Sequence, residues 1–125
     1  MNNEGNTKAP KEKIYDLEER TAKFGEEAIK FCRSLPKSEL TRRIIDQLVG
    51  CATSVGANYA EADDAESSKY FKHKIGICKK ESRESKHFLR MAAVAIPEKA
   101  DQARKLWVEA KELNLIFNSI YKKVK

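Results

Sequence analysis

Apolar and small side chains recur at alternating intervals of three and four residues in four stretches of the chain, near 13–35, 38–62, 66–95 and 97–123. The members are, in order, Ile14, Leu17, Thr21, Phe24, Ala28, Phe31 and Leu35; Ile44, Leu48, Cys51, Val55, Asn58 and Ala62; Phe71, Ile75, Cys78, Ser82, Ser85, Leu89 and Ala92; and Ala103, Leu106, Ala110, Leu113, Phe117, Ile120 and Val124. A mean interval of about 3.5 residues is typical of the buried seam between packed helices. The pattern therefore predicts four amphipathic helices, each with one buried seam.

Residues that stop or start helices separate these stretches. Pro36 and Pro97 lie at two of the boundaries, and the run 62–68 is rich in Asp and Ser, which cap helix ends. Connections of a few residues force consecutive helices to run antiparallel. We therefore expect an all-α, up-down-up-down four-helix bundle made by one domain over residues 13–125, preceded by a disordered polar tail over residues 1–12.

The second predicted helix is apolar on more than one side. Outside its seam it carries a further stripe of small and apolar residues: Ile45, Val49, Ala52, Gly56 and Ala60. This stripe is compatible with a wide core face in a small bundle. It is equally compatible with a helix that also contacts another subunit.

One edge of the third predicted helix mixes large apolar groups with opposite charges. At about 100° per residue, six side chains share this edge. This mixed flank comprises Tyr70, Lys74, Ile77, Glu81, Glu84 and Phe88. Such a combination suits a subunit interface. The alternative is a solvated edge with ion pairs between successive turns.

Positive charge is concentrated on the same helix. Between Lys69 and Arg90 the chain has eight basic and two acidic side chains, whereas the net charge of the whole chain is +6. Six of these cations follow helical spacing away from the seam and form a basic stripe: Lys69, Lys72, Lys79, Arg83, Lys86 and Arg90. Such a stripe can contact the phosphates of a nucleic acid or another anionic partner, although a solubilising surface has the same composition. Because no aromatic RNA-binding motif or helix-turn-helix signature accompanies it, the stripe predicts affinity without sequence readout.

Composition and spacing give no indication of an enzyme. The five glycines are scattered, the single Glu84-x-x-His87 unit has no second copy, and Cys32, Cys51 and Cys78 form no metal-binding spacing. The longest uncharged run, 47–60, has 14 residues and is too short and polar to span a bilayer. We therefore expect a non-enzymatic protein without metal or cofactor, away from membranes, in a reducing cytoplasm.

Several stretches of the chain resemble a bacterial protein family. They are 15–20 with Phe24, 35–37, Gln47, 54–62, 67–68, Phe71, 80–84 and 88–89. The patterns Ser-x-Gly-x-Asn-x-x-Glu-Ala and Glu-x-x-Glu-x-x-x-aromatic-Leu within them are fairly specific. From about residue 13 to 92 the chain resembles the four-helix bundle proteins encoded within intervening sequences of 23S ribosomal RNA genes. It departs from them at Phe88, where the family usually has Trp, which is also a large aromatic.

The resemblance implies a ring-shaped homopentamer with a suspected nucleic-acid-binding role, of RNA or DNA, and no known enzymatic activity. A related group, the accessory proteins of diversity-generating retroelements, implies an alternative role as an adaptor that associates with a reverse transcriptase. On this basis we expect the basic stripe to contact phosphates. We expect the subunits to be held together by Tyr70, Ile77, Glu81, Glu84 and Phe88. Asn58 and Glu61 are expected to order the turn between the second and third helices.

Overall fold

In a computed structural model, which describes residues 16–125, the chain forms four α-helices. α1 spans Leu17–Arg33, α2 Glu39–Asp63, α3 Ser68–Ala95 and α4 Ala100–Lys123, and a short 3-10 helix, Pro97–Lys99, joins α3 to α4. Residues 16–125 contain no strand. The predicted all-α four-helix architecture is therefore confirmed. The predicted tail over residues 1–12 and the seam residue Ile14 lie outside the described residues.

The four helices pack in a square. α2 lies against α1 and α3, and α4 lies against α3 and α1. The helices α1 and α3 are consequently diagonal and are not neighbours. Because the connections 34–38, 64–67 and 96–99 are short, each helix turns back beside the one before it.

Serine caps set the beginnings of two helices. Ser38 Oγ accepts a hydrogen bond from the backbone N–H of Thr41 at 3.1 Å, and Thr41 Oγ1 accepts one from the N–H of Ser38 at 2.8 Å. Ser67 Oγ accepts a hydrogen bond from the N–H of Tyr70 at 3.1 Å. These contacts satisfy N–H groups that the first helical turn leaves without partners. They also explain why α2 and α3 begin at residues 39 and 68, slightly later than expected.

The predicted seams form the core. The largest fully buried side chains on them are Leu17, Phe24, Leu48, Val55, Ile75, Leu89, Leu113 and Phe117. The buried hydroxyls of α3 are satisfied locally, since Ser82 and Ser85 donate to the carbonyls of Cys78 and Glu81 at 2.8 Å. Small residues at these positions allow α3 to approach its neighbours without leaving unpaired polar groups.

The predicted seam of α2 is wrong at one position. Asn58 is half-buried beside the core, whereas Tyr59 is only 9% exposed and its ring lies 6.1 Å from that of Phe117. The amide of Asn58 donates to the carbonyl and hydroxyl oxygens of Ser54, both at 2.9 Å. Its polar side chain therefore remains at the margin of the core, and the aromatic ring of Tyr59 fills the interior.

The second apolar stripe of α2 is largely a wide core face. Ala52 is fully buried, and Ile45 and Val49 pack against the core. A Cβ atom on Gly56 would lie 3.4 Å from the backbone nitrogen of Ala22, so the glycine permits close approach of α1. Only the end of the stripe, at Ala60, is exposed.

No helix within residues 16–125 combines the length and the apolar character that crossing a bilayer requires.

Candidate nucleic-acid interface

The basic stripe lies on α3 at the side that faces α4. Its ends, Lys69 and Arg90, are 21 residues apart, which corresponds to about 32 Å at 1.5 Å per helical residue. One turn of duplex DNA spans a similar length, about 34 Å. The stripe is therefore about as long as one turn of a duplex measured along its axis.

The six cations of the stripe differ in exposure. Lys69, Arg83 and Arg90 are exposed, whereas Lys72, Lys79 and Lys86 are half-buried. The three half-buried lysines extend over aromatic rings of α4. This contact shields their aliphatic stems and leaves the ammonium groups at the rim, as is common for long cationic side chains.

The ammonium groups of these lysines lie over two aromatic side chains of α4. Lys79 Nζ lies 4.1 Å and Lys72 Nζ 4.7 Å from the ring centroid of Tyr121. Lys86 Nζ lies 5.7 Å from the centroid of Trp107. These distances are within the range of cation–π attraction, which positions a cation without neutralising its charge.

The stripe is electrostatically uncompensated within the described region. No carboxylate of residues 16–125 lies within 4.0 Å of a basic nitrogen of the six stripe residues. On another surface, by contrast, Arg20 contacts both Glu109 and Glu112, at 2.7 and 2.8 Å. The positive charge of the stripe is therefore not neutralised by a contacting carboxylate of this region.

A polar groove runs between the stripe and α4. It has a volume of about 830 Å³ and is lined by Gly76, Lys79, Lys80, Arg83, Glu84, Lys86, His87, Asn114 and Asn118. Asn114 is nearly buried at its floor and donates to the carbonyl of Lys79 at 2.9 Å and to Ser82 Oγ at 3.1 Å. The amide thereby fixes α4 against the middle of the stripe, and cations, amides and the carboxylate of Glu84 line a single concave surface.

Sequence reasoning missed the residues that α4 contributes. Trp107, Asn114 and Tyr121 recur at intervals of seven, in a row directly next to the seam of this helix. A heptad row beside a buried seam faces the neighbouring helix. From this row, contact of Trp107, Asn114 and Tyr121 with the basic stripe could have been predicted.

Most of the mixed flank lies on the opposite side of α3, facing α2, whereas its member Glu84 lines the groove beside α4. Lys74 forms an ion pair with Glu61 and lies 3.5 Å from the amide oxygen of Asn58. The ammonium group of Lys74 lowers the pKa of Glu61, and the carboxylate in turn raises the pKa of Lys74. Asn58 and Glu61 thus connect the side chains of α2 and α3 next to the turn that they were expected to order.

The remaining members of the mixed flank differ in how much they are covered. Tyr70 is 44% exposed and Glu84 is exposed, whereas Ile77 and Glu81 are half-buried. Burial raises the pKa of Glu81, and the nearby carboxylate of Glu84 raises it further. Phe88 packs partly against the core and lines an open groove of about 550 Å³ between α2 and α3.

The cysteines lie in the core. Cys32, Cys51 and Cys78 are buried free thiols, and burial raises the pKa of Cys32 to about 11 and that of Cys78 to about 12. Within residues 16–125 there is no group of three or more His, Cys, Asp or Glu side chains that could hold a metal ion.

Comparison with known proteins identifies the family. The model of the 23S rRNA-intervening sequence protein family matches residues 13–119. A crystal structure of a protein of unknown function from the S23 ribosomal protein family of Bacteroides thetaiotaomicron is similar in fold, with a TM-score of 0.76 and 23% sequence identity over 89% of this chain and 99% of that chain. No curated protein matches the sequence. The chain, whose described residues form the four-helix bundle, therefore belongs to the 23S rRNA-intervening sequence protein family.

Proposed function

We propose that this protein is a non-enzymatic, oligomeric four-helix bundle that binds the backbone of RNA or DNA through the basic stripe of α3. The observation that carries the proposal is the row of six cations over about 32 Å with no carboxylate of the described region in contact. In this proposal Lys69, Lys72, Lys79, Arg83, Lys86 and Arg90 contact phosphates. The protein uses no metal or cofactor, and we place it in the cytoplasm.

The physical basis of this binding is the release of counterions from the nucleic acid. Each cation that neutralises a phosphate frees a condensed counterion, which favours binding in proportion to the number of contacts. Contacts of this kind position a protein on the backbone and carry no sequence information. The cations of the stripe supply such contacts, and the amide groups of Asn114 and Asn118 lie in the same groove.

We further propose that the chain assembles with copies of itself, as a ring-shaped homopentamer, through the mixed flank. The exposed ring of Tyr70 is an apolar surface that a second subunit would cover, and the groove beside Phe88 combines the apolar Ile44 and Met91 with charged side chains. The half-buried Glu81 has no closer cationic partner in the described region than Lys80, at 4.0 Å, which also favours a partner from another subunit. Repetition of the stripe around a ring would produce a continuous basic belt.

The proposed function is tested by measuring binding of the purified protein to a structured RNA and to duplex DNA across a salt series. A steep fall of log affinity with log salt is the expected result, because several phosphates are contacted at once. A preference for one ligand would identify the type of nucleic acid. Absence of binding to both at about 50 mM salt, where charges are weakly screened, would refute the proposal.

An adaptor role, with a reverse transcriptase as one candidate partner, is the second proposal. The exposed face of α4 favours it, because Val108 and Leu115 are seven residues apart and 44% and 57% exposed. Apolar side chains in such a row suit a protein partner. A stoichiometric partner retained in a pull-down after nuclease treatment, and lost in a Val108→Glu, Leu115→Glu variant, would support this role.

A further inference from the structure

A separate pocket continues from the end of the basic stripe. It lies between the C-terminal part of α3 and the N-terminal part of α4 and has a volume of about 420 Å³. Leu89, Ala93, Ala103 and Trp107 contribute its apolar lining, and Arg90 and Arg104 also border it. Pockets of about 300–1,000 Å³ with an apolar lining and a few polar groups are typical of small-molecule sites.

Small side chains create the space beside Trp107. Ala93, Ala100 and Ala103 line the pocket, and Trp107 is half-buried, so part of its ring system is accessible. The ammonium groups of Lys86 and Lys111 lie 5.7 and 5.6 Å from the ring centroid. The pocket thus has part of an indole in its wall, close to two cations.

The charges at the rim complement an anion. Arg90 has no carboxylate of the described region within 4.0 Å and is itself the last member of the basic stripe. Arg104 contacts Asp101 at 3.3 Å, but both side chains are largely exposed, and such surface pairs are weak. Both guanidinium groups are therefore accessible to a phosphate next to the apolar pocket.

We propose that this pocket accepts the base of an unpaired nucleotide, which stacks on Trp107 while Arg90 and Arg104 contact the flanking phosphates. The inference rests on the proposed function, because the strand that enters the pocket is the one that follows the basic stripe. A nucleotide combines a planar base, whose faces can stack on an aromatic ring, with an anionic backbone, which matches both features of the site. Base–aromatic stacking with a positively charged groove is the usual mode of single-strand binding.

A preference for unpaired nucleic acid follows from this geometry. In a duplex every base is stacked and paired, and removing one from the stack is unfavourable. A perfect duplex can therefore contact the stripe but cannot enter the pocket. A single strand or a helix with a bulge can do both and should bind more tightly.

Tryptophan fluorescence provides the test, because Trp107 is the only tryptophan of the chain. The full-length protein is titrated with end-labelled oligothymidylate and with a labelled duplex of equal length, while anisotropy reports binding and indole emission reports the pocket. We expect both ligands to raise the anisotropy and only oligothymidylate to quench the indole. Binding of both without quenching, or equal quenching by the duplex, would overturn the pocket assignment alone. Binding of neither would overturn the proposed function as well.

Two variants and a competitor complete the experiment. Trp107→Leu should weaken binding of oligothymidylate about tenfold more than binding of the duplex. Arg104→Gln changes an exposed side chain and should likewise weaken binding of oligothymidylate more than binding of the duplex, without altering the packing. Arg33→Gln, at an exposed position of α1, is its matched control. Poly-glutamate serves as the competitor, because it is a polyanion that has no bases. Quenching by poly-glutamate equal to that by oligothymidylate would show that the pocket responds to charge alone and would overturn the inference.

Discussion

Neutralising two neighbouring cations of the basic stripe should change the salt dependence of binding by a calculable amount. On duplex DNA, each phosphate contact contributes about −0.9 to the slope of log affinity against log salt. Six contacts give a slope of about −5.4, so raising the salt from 50 to 200 mM should weaken binding about 2,000-fold. The Arg83→Gln, Lys86→Gln variant retains four contacts and a slope of about −3.6, which corresponds to a loss of about 150-fold.

The duplex used in the assay should be short enough to contact a single stripe. A labelled duplex of about 12 base pairs is slightly longer than one helical turn, which matches the length from Lys69 to Arg90. Affinity is measured by fluorescence anisotropy at several salt concentrations between these limits. Circular dichroism and light scattering establish that the variant keeps the helicity and the mass of the unmodified protein.

The control variant removes the same residue types from the diagonal helix. Lys23 and Arg33 are exposed on α1, which is not a neighbour of α3. The Lys23→Gln, Arg33→Gln variant should keep the slope of the unmodified protein. An unchanged slope in the α3 variant would show that the stripe does not contact phosphates. An equal reduction in both variants would show that net charge, and not the stripe, determines binding.

Three further changes address assembly and stability. Phe88→Ala should reduce the oligomer mass measured by light scattering, because it removes the large apolar group beside the groove of the mixed flank. Glu61→Gln should lower the melting temperature at pH 7 through loss of the ion pair with Lys74. Because Lys74 lowers the pKa of Glu61 below its ordinary value of 4.5, this stabilisation is present above that value and is lost as the pH falls through the lowered pKa. Asn114→Ala should lower the free energy of unfolding in urea by about 1–2 kcal/mol, since it removes hydrogen bonds to Lys79 and Ser82.

Each of these expectations can be contradicted. An unaltered mass of the Phe88 variant would place this ring in the packing of a single bundle only. A difference in melting temperature between Glu61→Gln and the unmodified protein that persists in acid would mean that the charge of Glu61 is not its cause. An Asn114→Leu variant is the shape-matched control, and equal stability of Asn114→Ala and the unmodified protein would show that the amide does not stabilise the contact of α3 with α4.

The fold could be predicted because the hydrophobic period alone determines which face of each helix is buried. Leu48, Val55, Ile75 and Phe117 lie in the core at the positions that the spacing indicates. The period does not distinguish adjacent residues at the margin of a wide apolar face. For this reason Tyr59 occupies the core where the spacing of three and four pointed to Asn58.

Only the part of the candidate site that lies on a single helix could be predicted from the sequence. The stripe from Lys69 to Arg90 follows from helical geometry along a single segment. The aromatic rings of Trp107 and Tyr121 meet it through packing of α3 against α4, which the charge pattern of α3 alone does not reveal. Hydrogen bonds from Asn114 to α3 likewise depend on the relative rotation of the two helices.

The lysines above Tyr121 are held in place before any ligand arrives. A free lysine side chain loses up to about 2 kcal/mol of rotational entropy when it is fixed. Contact of Lys72 and Lys79 with the ring restricts their rotamers in the folded chain. Less mobility remains to be lost when a phosphate binds, and such preorganisation increases affinity without any additional contact. Two cations of the stripe are therefore positioned by a tyrosine that itself carries no charge.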